Sequence, residues 1–228
     1  MFAATYGIVR DYARPVILSQ PEKREVFGCG TFIVVNSAGW ILTAKHVMEA
    51  ARRGSDDRGP TWGWKGTAID DVVLDSDSDM ALGKLEPFDV DWVAGYPSFR
   101  DPEGIGLGTS VGRLGYTASV EGDVASASVS MNAGVVSKDY VESGVRYMVT
   151  SSAGFKGQSG GPVFDLDGAV CGMQVSTRVT ALGHTRMTPL GEAVQLTTTE
   201  GVAIHVASLM KFMDAAGIAY LIKNRFSR

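Results

Sequence analysis

Hydrophobic residues fall in short runs along this chain, and turn-forming residues such as Gly, Asp, Asn and Ser separate the runs. Runs of this length are typical of β-strands, whereas helices need longer segments with a period near 3.6 residues. The spacing therefore predicts an all-β fold class, built as a sandwich or a barrel. The predicted strands are residues 15–18, 31–35, 40–43, 72–74, 80–82, 110–114, 134–137, 147–149, 162–164, 169–175 and 202–204.

The pattern changes near the end of the chain, where apolar residues recur at helical spacing. This spacing predicts a terminal helix that packs against the preceding strands. Ser208 is a candidate cap at its start and Gly217 a candidate stop. The apolar positions are Val206, Leu209, Met210, Phe212 and Met213.

Composition supports a folded, turn-rich protein. The chain has 228 residues, of which 45% are hydrophobic and 28 are glycines. A chain of this length buries enough surface to fold without disulfides or metal ions. Its net charge of −4 provides no broad basic surface for phosphate groups, so we expect no nucleic-acid partner.

Location and metal binding can be addressed from the same sequence. No hydrophobic run is long enough to span a membrane, and Arg10, Asp11 and Arg14 interrupt the N-terminal segment where a secretion signal needs a continuous apolar run. We therefore expect a cytoplasmic protein without a membrane partner. Cys29 and Cys171 match no metal-ligand spacing, so we predict two reduced thiols and no bound metal.

Residues 157–162 read Gly-Gln-Ser-Gly-Gly-Pro and are the first candidate for chemistry. The glycines let the backbone turn sharply, which would present the Ser159 hydroxyl beside main-chain N–H groups. A serine hydroxyl is a weak nucleophile, so it needs a base, and the base needs a carboxylate to orient it.

The base must come from one of three histidines. His46 ends a strand-like run, residues 39–47, that closes in a polar turn. His184 lies in a polar, Gly- and Thr-rich stretch and is predicted to be in a loop. His205 lies between apolar neighbours and is predicted to be a core or surface residue near a strand end.

The carboxylate is sought in residues 76–82, where acidic residues directly precede an apolar run. Asp79 is one candidate. Asp75 and Asp77 are its neighbours, and spacing alone does not choose among the three.

Taken in order, the histidine, aspartate and serine segments resemble the motifs of chymotrypsin-fold serine peptidases. The matching blocks resemble the family patterns T-A-x-H-V, D-x-A-L and G-x-S-G-G-P. Further pieces resemble a glycine-led strand before the histidine and the G-Y and G-x-V-S pieces of the bacterial HtrA-type and glutamyl-endopeptidase-like branches. The resemblance extends over about residues 13–216, and its blocks are residues 28–33, 42–47, 78–82, 115–116, 134–137 and 157–162.

This resemblance implies two packed six-stranded Greek-key β-barrels (chymotrypsin-like) with a C-terminal α-helix. Residues 1–95 would form an N-terminal segment and the first barrel, residues 96–205 the second barrel, and residues 206–228 the C-terminal helix and tail. The first barrel would supply His46 and Asp79, and the second would supply Ser159.

The resemblance also implies the roles of individual residues. Ser159 would attack a peptide carbonyl, His46 would transfer the proton, and Asp79 would orient the imidazole. The main-chain N–H groups of Gly157 and Ser159 would form the oxyanion hole. The substrate would be a protein or peptide, and no cofactor would be required.

Several positions depart from the animal members of this family. Gln158 stands where trypsin-like zymogens carry an activating Asp, which excludes activation by that ion pair. Cys29 resembles one half of the disulfide that brackets the catalytic histidine, but Val47 stands where its partner would be.

For specificity, Ala153 stands where an acidic pocket base selects Arg or Lys. Val175, Ser176 and Thr177 lie in the run that resembles the substrate-binding strand, and this run lacks the histidine of glutamyl endopeptidases. By elimination, we expect cleavage after a small or medium apolar residue.

Residues 218–228 are too few for the peptide-binding domain that follows the protease in HtrA-type proteins, so we expect a protease domain only. We also expect an activating or inhibitory protein partner, or a narrow set of substrates. Two other hypotheses are a non-catalytic binding module of the same fold and an α/β-hydrolase, in which residues 157–161 form a G-x-S-x-G elbow and His184 or His205 is the base.

Overall fold

The computed structural model describes residues 2–20, 25–53, 62–64, 67–121, 124–187 and 193–223. The first six strands form a closed barrel in the order β1-β2-β3-β6-β5-β4. All of its pairings are antiparallel. Its strands are β1 (Ala13–Gln20), β2 (Glu25–Val34), β3 (Trp40–Thr43), β4 (Trp62–Trp64), β5 (Thr67–Leu74) and β6 (Ala81–Glu86).

A second sheet follows, and it has the order β11-β8-β9-β10-β13-β12-β7-β14. Because β11 pairs with both β8 and β12, strands β8 to β13 form a second closed ring, and β7 and β14 extend it. Its strands are β7 (Ser98–Arg100), β8 (Ser110–Glu121), β9 (Val124–Glu142), β10 (Val145–Thr150), β11 (Pro162–Phe164), β12 (Val170–Met187), β13 (Ala193–His205) and β14 (Leu221–Lys223).

The expected all-β fold with two barrels and a C-terminal helix is confirmed. Each predicted run lies on a strand to within one residue at its ends. The agreement follows from burial, because these strands carry consecutive apolar side chains that lie in the core. Examples are Ile41 and Leu42 in the first barrel and Val163 and Phe164 in the second.

Three α-helices accompany the barrels within the described residues: α1 (Ala3–Tyr12), α2 (Lys45–Arg53) and α3 (Val206–Ala215). Helix α3 corresponds to the predicted terminal helix. Its N-cap, however, is His205 and not Ser208, whose hydroxyl accepts a hydrogen bond from Arg146 N. Gly217, at φ +69°, follows the end of the helix as expected.

Helix α1 was not predicted. It packs on the second barrel, where the Thr5 hydroxyl donates to Leu166 O at 2.7 Å and the Tyr12 hydroxyl donates to Gly168 O at 2.8 Å. Among the described helices, none has the length and apolar character needed to cross a membrane.

Candidate active site

His46 and Asp79 are brought together by the register of two strands of the first barrel. Thr43, the last residue of β3, pairs with Ala81, the first residue of β6. The residues that follow β3 and those that precede β6 therefore leave the barrel side by side. Lys45 N donates to Asp79 O at 3.2 Å and joins the two segments.

The Asp79 carboxylate holds His46 through two hydrogen bonds. Its Oδ1 accepts from the main-chain N–H of His46 at 2.8 Å, and its Oδ2 lies 2.6 Å from His46 Nδ1. An ionised carboxylate only accepts hydrogen bonds, so this contact places the ring proton on Nδ1 and leaves Nε2 with its lone pair. The hydrogen bond with Asp79 raises the pKa of His46, against a smaller opposing effect of burial.

The structure distinguishes the three neighbouring aspartates that spacing left open. Asp79 contacts the imidazole, while Asp75 accepts a hydrogen bond from the Ser78 hydroxyl and Asp77 accepts one from the Ser76 hydroxyl. His46 itself is the second residue of α2 and not part of a polar turn.

Ser159 lies in a loop that connects β10 to β11 and contains a tight turn. Gln158 N donates to Phe155 O at 3.0 Å, and Gly157 has a φ of +89°. A positive φ at the third position only is the mark of a type II turn, which favours glycine there. A Cβ on residue 157 would also lie 2.1 Å from Tyr116 O, so no other residue fits without displacement of the backbone.

The same loop docks against the first barrel. Thr31 N donates to Ser159 O at 2.9 Å, and the Thr31 hydroxyl donates to Gly157 O at 2.7 Å. Gly160, at φ +80°, is packed so closely that a Cβ there would lie 2.2 Å from the Thr43 hydroxyl oxygen. The serine loop therefore contacts the end of β3, the strand that leads into His46.

Gln158 is a functional candidate whose structural role the sequence did not indicate. Its side chain is fully buried, and its Oε1 accepts a hydrogen bond from Phe155 N at 2.9 Å. Its Nε2 donates to the Ser130 hydroxyl and to Asn132 Oδ1, both at 3.2 Å. Gln158 thus ties the turn before Ser159 to β9, and it does so with a neutral side chain where zymogens use an ion pair.

The predicted substrate-binding residues lie close to this loop. Thr177 donates through its hydroxyl to Gly154 O at 3.0 Å, and Asn132 Nδ2 donates to Ala153 O at 2.5 Å. Ser176 and Thr177 are exposed, whereas Val175 is buried. The segment 175–177 lines an open cavity of about 400 Å³ that it shares with Asp79 and Tyr147.

The remaining histidines are placed elsewhere. His205 is buried at the end of β13, where its Nδ1 accepts a hydrogen bond from Ala207 N at 3.1 Å, and burial lowers its pKa to about 4. The prediction of a core or strand-end residue is therefore correct. The backbone of His184 belongs to β12 and not to a loop, and its side chain lies outside the described residues.

The cysteine prediction is tested at one position. Cys171 is a free thiol in the core, and burial raises its pKa well above the ordinary range. The side chain of Cys29 lies outside the described residues. Within the described ranges, no group of three His, Cys, Asp or Glu residues could hold a metal ion.

The α/β-hydrolase hypothesis is wrong. Its serine elbow joins a strand of a parallel sheet to a helix. Here Ser159 is followed by strand β11, which pairs antiparallel with β8 and β12.

Comparison with known proteins assigns the family. Residues 30–173 match the trypsin-like peptidase domain, and the chain belongs to this family. It is 30% identical over 193 residues to the putative serine protease HhoB of Synechocystis sp., covering 80% of this chain and 41% of HhoB. It is 24% identical over 168 residues to the pro-apoptotic serine protease NMA111 of Coccidioides immitis, covering 70% of this chain and 16% of NMA111. The chain thus spans less than half the length of these relatives.

Solved structures share the fold at low sequence identity. The Rv3671c protease of M. tuberculosis in its active form superposes with a TM-score of 0.61 at 16% identity, covering 96% of this chain and 86% of that one. The HtrA-type protease AlgW with a decapeptide gives a TM-score of 0.60 at 16% identity, covering 94% and 67%. The family match confirms the resemblance to trypsin-like serine peptidases, and the solved structures show the same fold.

Proposed function

We propose that this chain is a serine endopeptidase that uses His46, Asp79 and Ser159 as a catalytic triad and hydrolyses peptide bonds through an acyl-enzyme. The main support for the proposal is that two segments of the chain come into contact at the end of β3. One segment carries the hydrogen-bonded His46–Asp79 pair, and the other is the glycine-rich loop that carries Ser159.

In the first step, Ser159 Oγ attacks the carbonyl carbon of the substrate and its proton passes to His46 Nε2. The carboxylate of Asp79 stabilises the imidazolium that forms, in agreement with the raised pKa of His46. The carbonyl oxygen becomes an oxyanion, and the main-chain N–H groups of Gly157 and Ser159 are the candidate donors to it.

The turn at residues 155–158 supports this role for Gly157. Its internal hydrogen bond is donated by Gln158 N, so the turn does not use the Gly157 N–H. Each such donor typically contributes about 3–4 kcal/mol to stabilisation of the transition state.

In the second half of the reaction, the C–N bond breaks as the imidazolium protonates the leaving amine. A water molecule, deprotonated by His46, then attacks the acyl-enzyme and releases the acid, and the proton returns to Ser159. These steps need neither a metal nor an organic cofactor.

Peptide hydrolysis by the purified chain tests the proposal. A mixture of quenched fluorescent peptides should be cleaved, and Ser159→Ala or His46→Ala should each lower kcat by about 10⁴- to 10⁶-fold. Asp77→Asn is the matched control, because Asp77 is a neighbouring carboxylate whose described partner is Ser76. Cleavage that survives both substitutions would contradict the proposal. Failure of the wild-type chain to cleave any peptide would favour the non-catalytic binding module.

A further inference from the structure

The buried guanidinium of Arg113 lies beside the predicted substrate-binding segments. Gly154 and Thr177 are joined by a hydrogen bond, and Thr177 pairs with Gly201 across β12 and β13. Gly201 N in turn donates to Ser152 O at 3.0 Å. Residues 152–154, Thr177 and Gly201 are therefore joined side by side in one continuous surface, which we call the wall. Arg113 packs directly against Gly201: a Cβ on Gly201 would lie 1.9 Å from Nη1 of Arg113.

Arg113 lacks a counter-charge among the described residues. Its side chain is only 1% exposed, and its Nη2 donates to the Thr150 hydroxyl. Its Nη1 is buried and has no hydrogen-bond partner within the part of the chain that the structure describes. Burial lowers the pKa of Arg113 to about 10, which leaves it positively charged at neutral pH.

A buried, unpaired cation is costly, and proteins almost always give such a group a carboxylate or another anion. A pocket that receives an alkyl side chain needs neither a buried cation nor an anion to pair with it. A polar occupant is also indicated by Gln174, whose side chain lies against Gly154: a Cβ on Gly154 would lie 2.3 Å from Gln174 Nε2. Its Nε2 donates to Ser176 O at 2.5 Å, while its Oε1 is buried and has no partner among the described residues.

We propose that Arg113 is the specificity-determining residue of this protease and that it selects substrates with an acidic side chain, glutamate above all, on the acyl side of the cleaved bond. This inference rests on the proposed function. The substrate carboxylate would supply the negative charge that Arg113 lacks among the described residues, and the positive charge of Arg113 favours a carboxylate over a carboxamide.

The proposal replaces the expectation of a small or medium apolar residue at this position. That expectation came from Ala153 and from the absence of a histidine in residues 171–177. Arg113 lies on β8, outside both motifs, and reaches the wall only through the barrel interior. The guanidinium occupies the space that a side chain on residue 201 would take, and Arg113 is only 1% exposed, so a glutamate should reach it better than the shorter aspartate.

The test uses quenched peptides that differ only in the residue before the scissile bond: Glu, Gln, Asp, Val or Arg. We expect kcat/KM for Glu to exceed that for Gln and for Val by about 10- to 100-fold, because a buried charge pair is made only with Glu. Arg113→Met should abolish this preference, and Arg113→Lys should keep part of it. Arg100→Met is the matched control, since Arg100 lies on β7 and already has a carboxylate partner, Asp165 at 3.4 Å, so its loss should not change the ranking.

Labelling of Ser159 by a fluorophosphonate distinguishes a wrong inference about Arg113 from a wrong proposed function. If Ser159 is labelled but the wild-type enzyme prefers Val, Gln or Arg, the inference about Arg113 is wrong while the proposed function stands. If Ser159 is not labelled and no peptide is cleaved, both fail. If Arg113→Met does not fold, the ranking of the five peptides by kcat/KM of the wild-type enzyme decides whether the inference about Arg113 holds.

Discussion

The two halves of the candidate site are built in different ways. The His46–Asp79 half depends on side chains that are well exposed, with 49% and 32% of their surfaces accessible. The Ser159 half depends on main-chain geometry, because glycines at positive φ are packed against Tyr116, Thr31 and Thr43. The position of His46 depends on its charged hydrogen-bond partner Asp79, and we call this pair the electrostatic half of the site. The position of Ser159 depends on close packing of glycines, and we call its loop the steric half. Substitutions in the two halves should therefore have different effects.

Substitution of Asp79 in the electrostatic half should cause the largest fall in kcat. Asp79→Asn removes the carboxylate that holds His46 in its working tautomer, and we expect kcat to fall by about 10⁴-fold with little change in thermal stability. Activity requires neutral His46, so it declines as the pH drops through the pKa of His46. Loss of the carboxylate lowers that pKa, and the acid limb of kcat/KM should move to lower pH in Asp79→Asn.

The pH profile of Asp75→Asn is the control for this prediction, because Asp75 is bound by Ser78 rather than by the imidazole. An Asp79→Asn enzyme with the wild-type acid limb would show that Asp79 does not set the charge state of His46.

Substitution of Gly157 in the steric half should lower both the activity and the stability of the protein. In Gly157→Ala the new Cβ meets Tyr116 O and the φ of +89° is strained, so the turn before Ser159 must change. We expect kcat to fall by about 10²- to 10³-fold, as for loss of one oxyanion donor, and the free energy of unfolding to drop by about 1–3 kcal/mol.

Gly108→Ala is the matched control for the glycine prediction. Gly108 has a φ of +83°, but no atom lies within 4 Å of a Cβ placed there. Its substitution should therefore cost stability through backbone strain alone and leave kcat unchanged. Equal losses of kcat in the two variants, measured with urea unfolding alongside, would refute the steric account.

Gln158→Ala should have a smaller effect on kcat. It removes the acceptor of Phe155 N and the link to Ser130 and Asn132, but it leaves Ser159 and the glycines in place. We expect kcat to fall by about 10-fold or more with KM nearly unchanged, because about 1–3 kcal/mol of buried hydrogen bonding is lost from the loop. Asn36→Ala, which removes an exposed hydrogen bond to Ala219 O, is the control. A Gln158→Ala enzyme with wild-type kcat and lower stability would limit this residue to a structural role.

Local patterns made most of the fold and the His, Asp and Ser segments predictable. Short apolar runs between turn residues identified β3 and β6, and the register of these two strands then explains why His46 and Asp79 meet. Helix α1 escaped prediction because much of its support is tertiary, as in the hydrogen bonds of Thr5 and Tyr12 to the second barrel. Gln158 and Arg113 act through contacts with residues far away in sequence, which no local pattern reveals.

Spacing alone did not choose among Asp75, Asp77 and Asp79. The family resemblance implied Asp79, and the structure shows that Asp79 is the carboxylate in contact with the imidazole. Cytoplasmic location and control by a protein partner stay predictions.

Mass-spectrometric mapping of fluorophosphonate labelling tests the central claim most directly, because it reports whether the two halves act as one site. We predict a single adduct on Ser159 in the wild-type chain, formed at least 10³-fold more slowly in His46→Ala, since the imidazole must accept the serine proton. Equal labelling rates in wild type and His46→Ala, or no adduct on Ser159, would contradict the account.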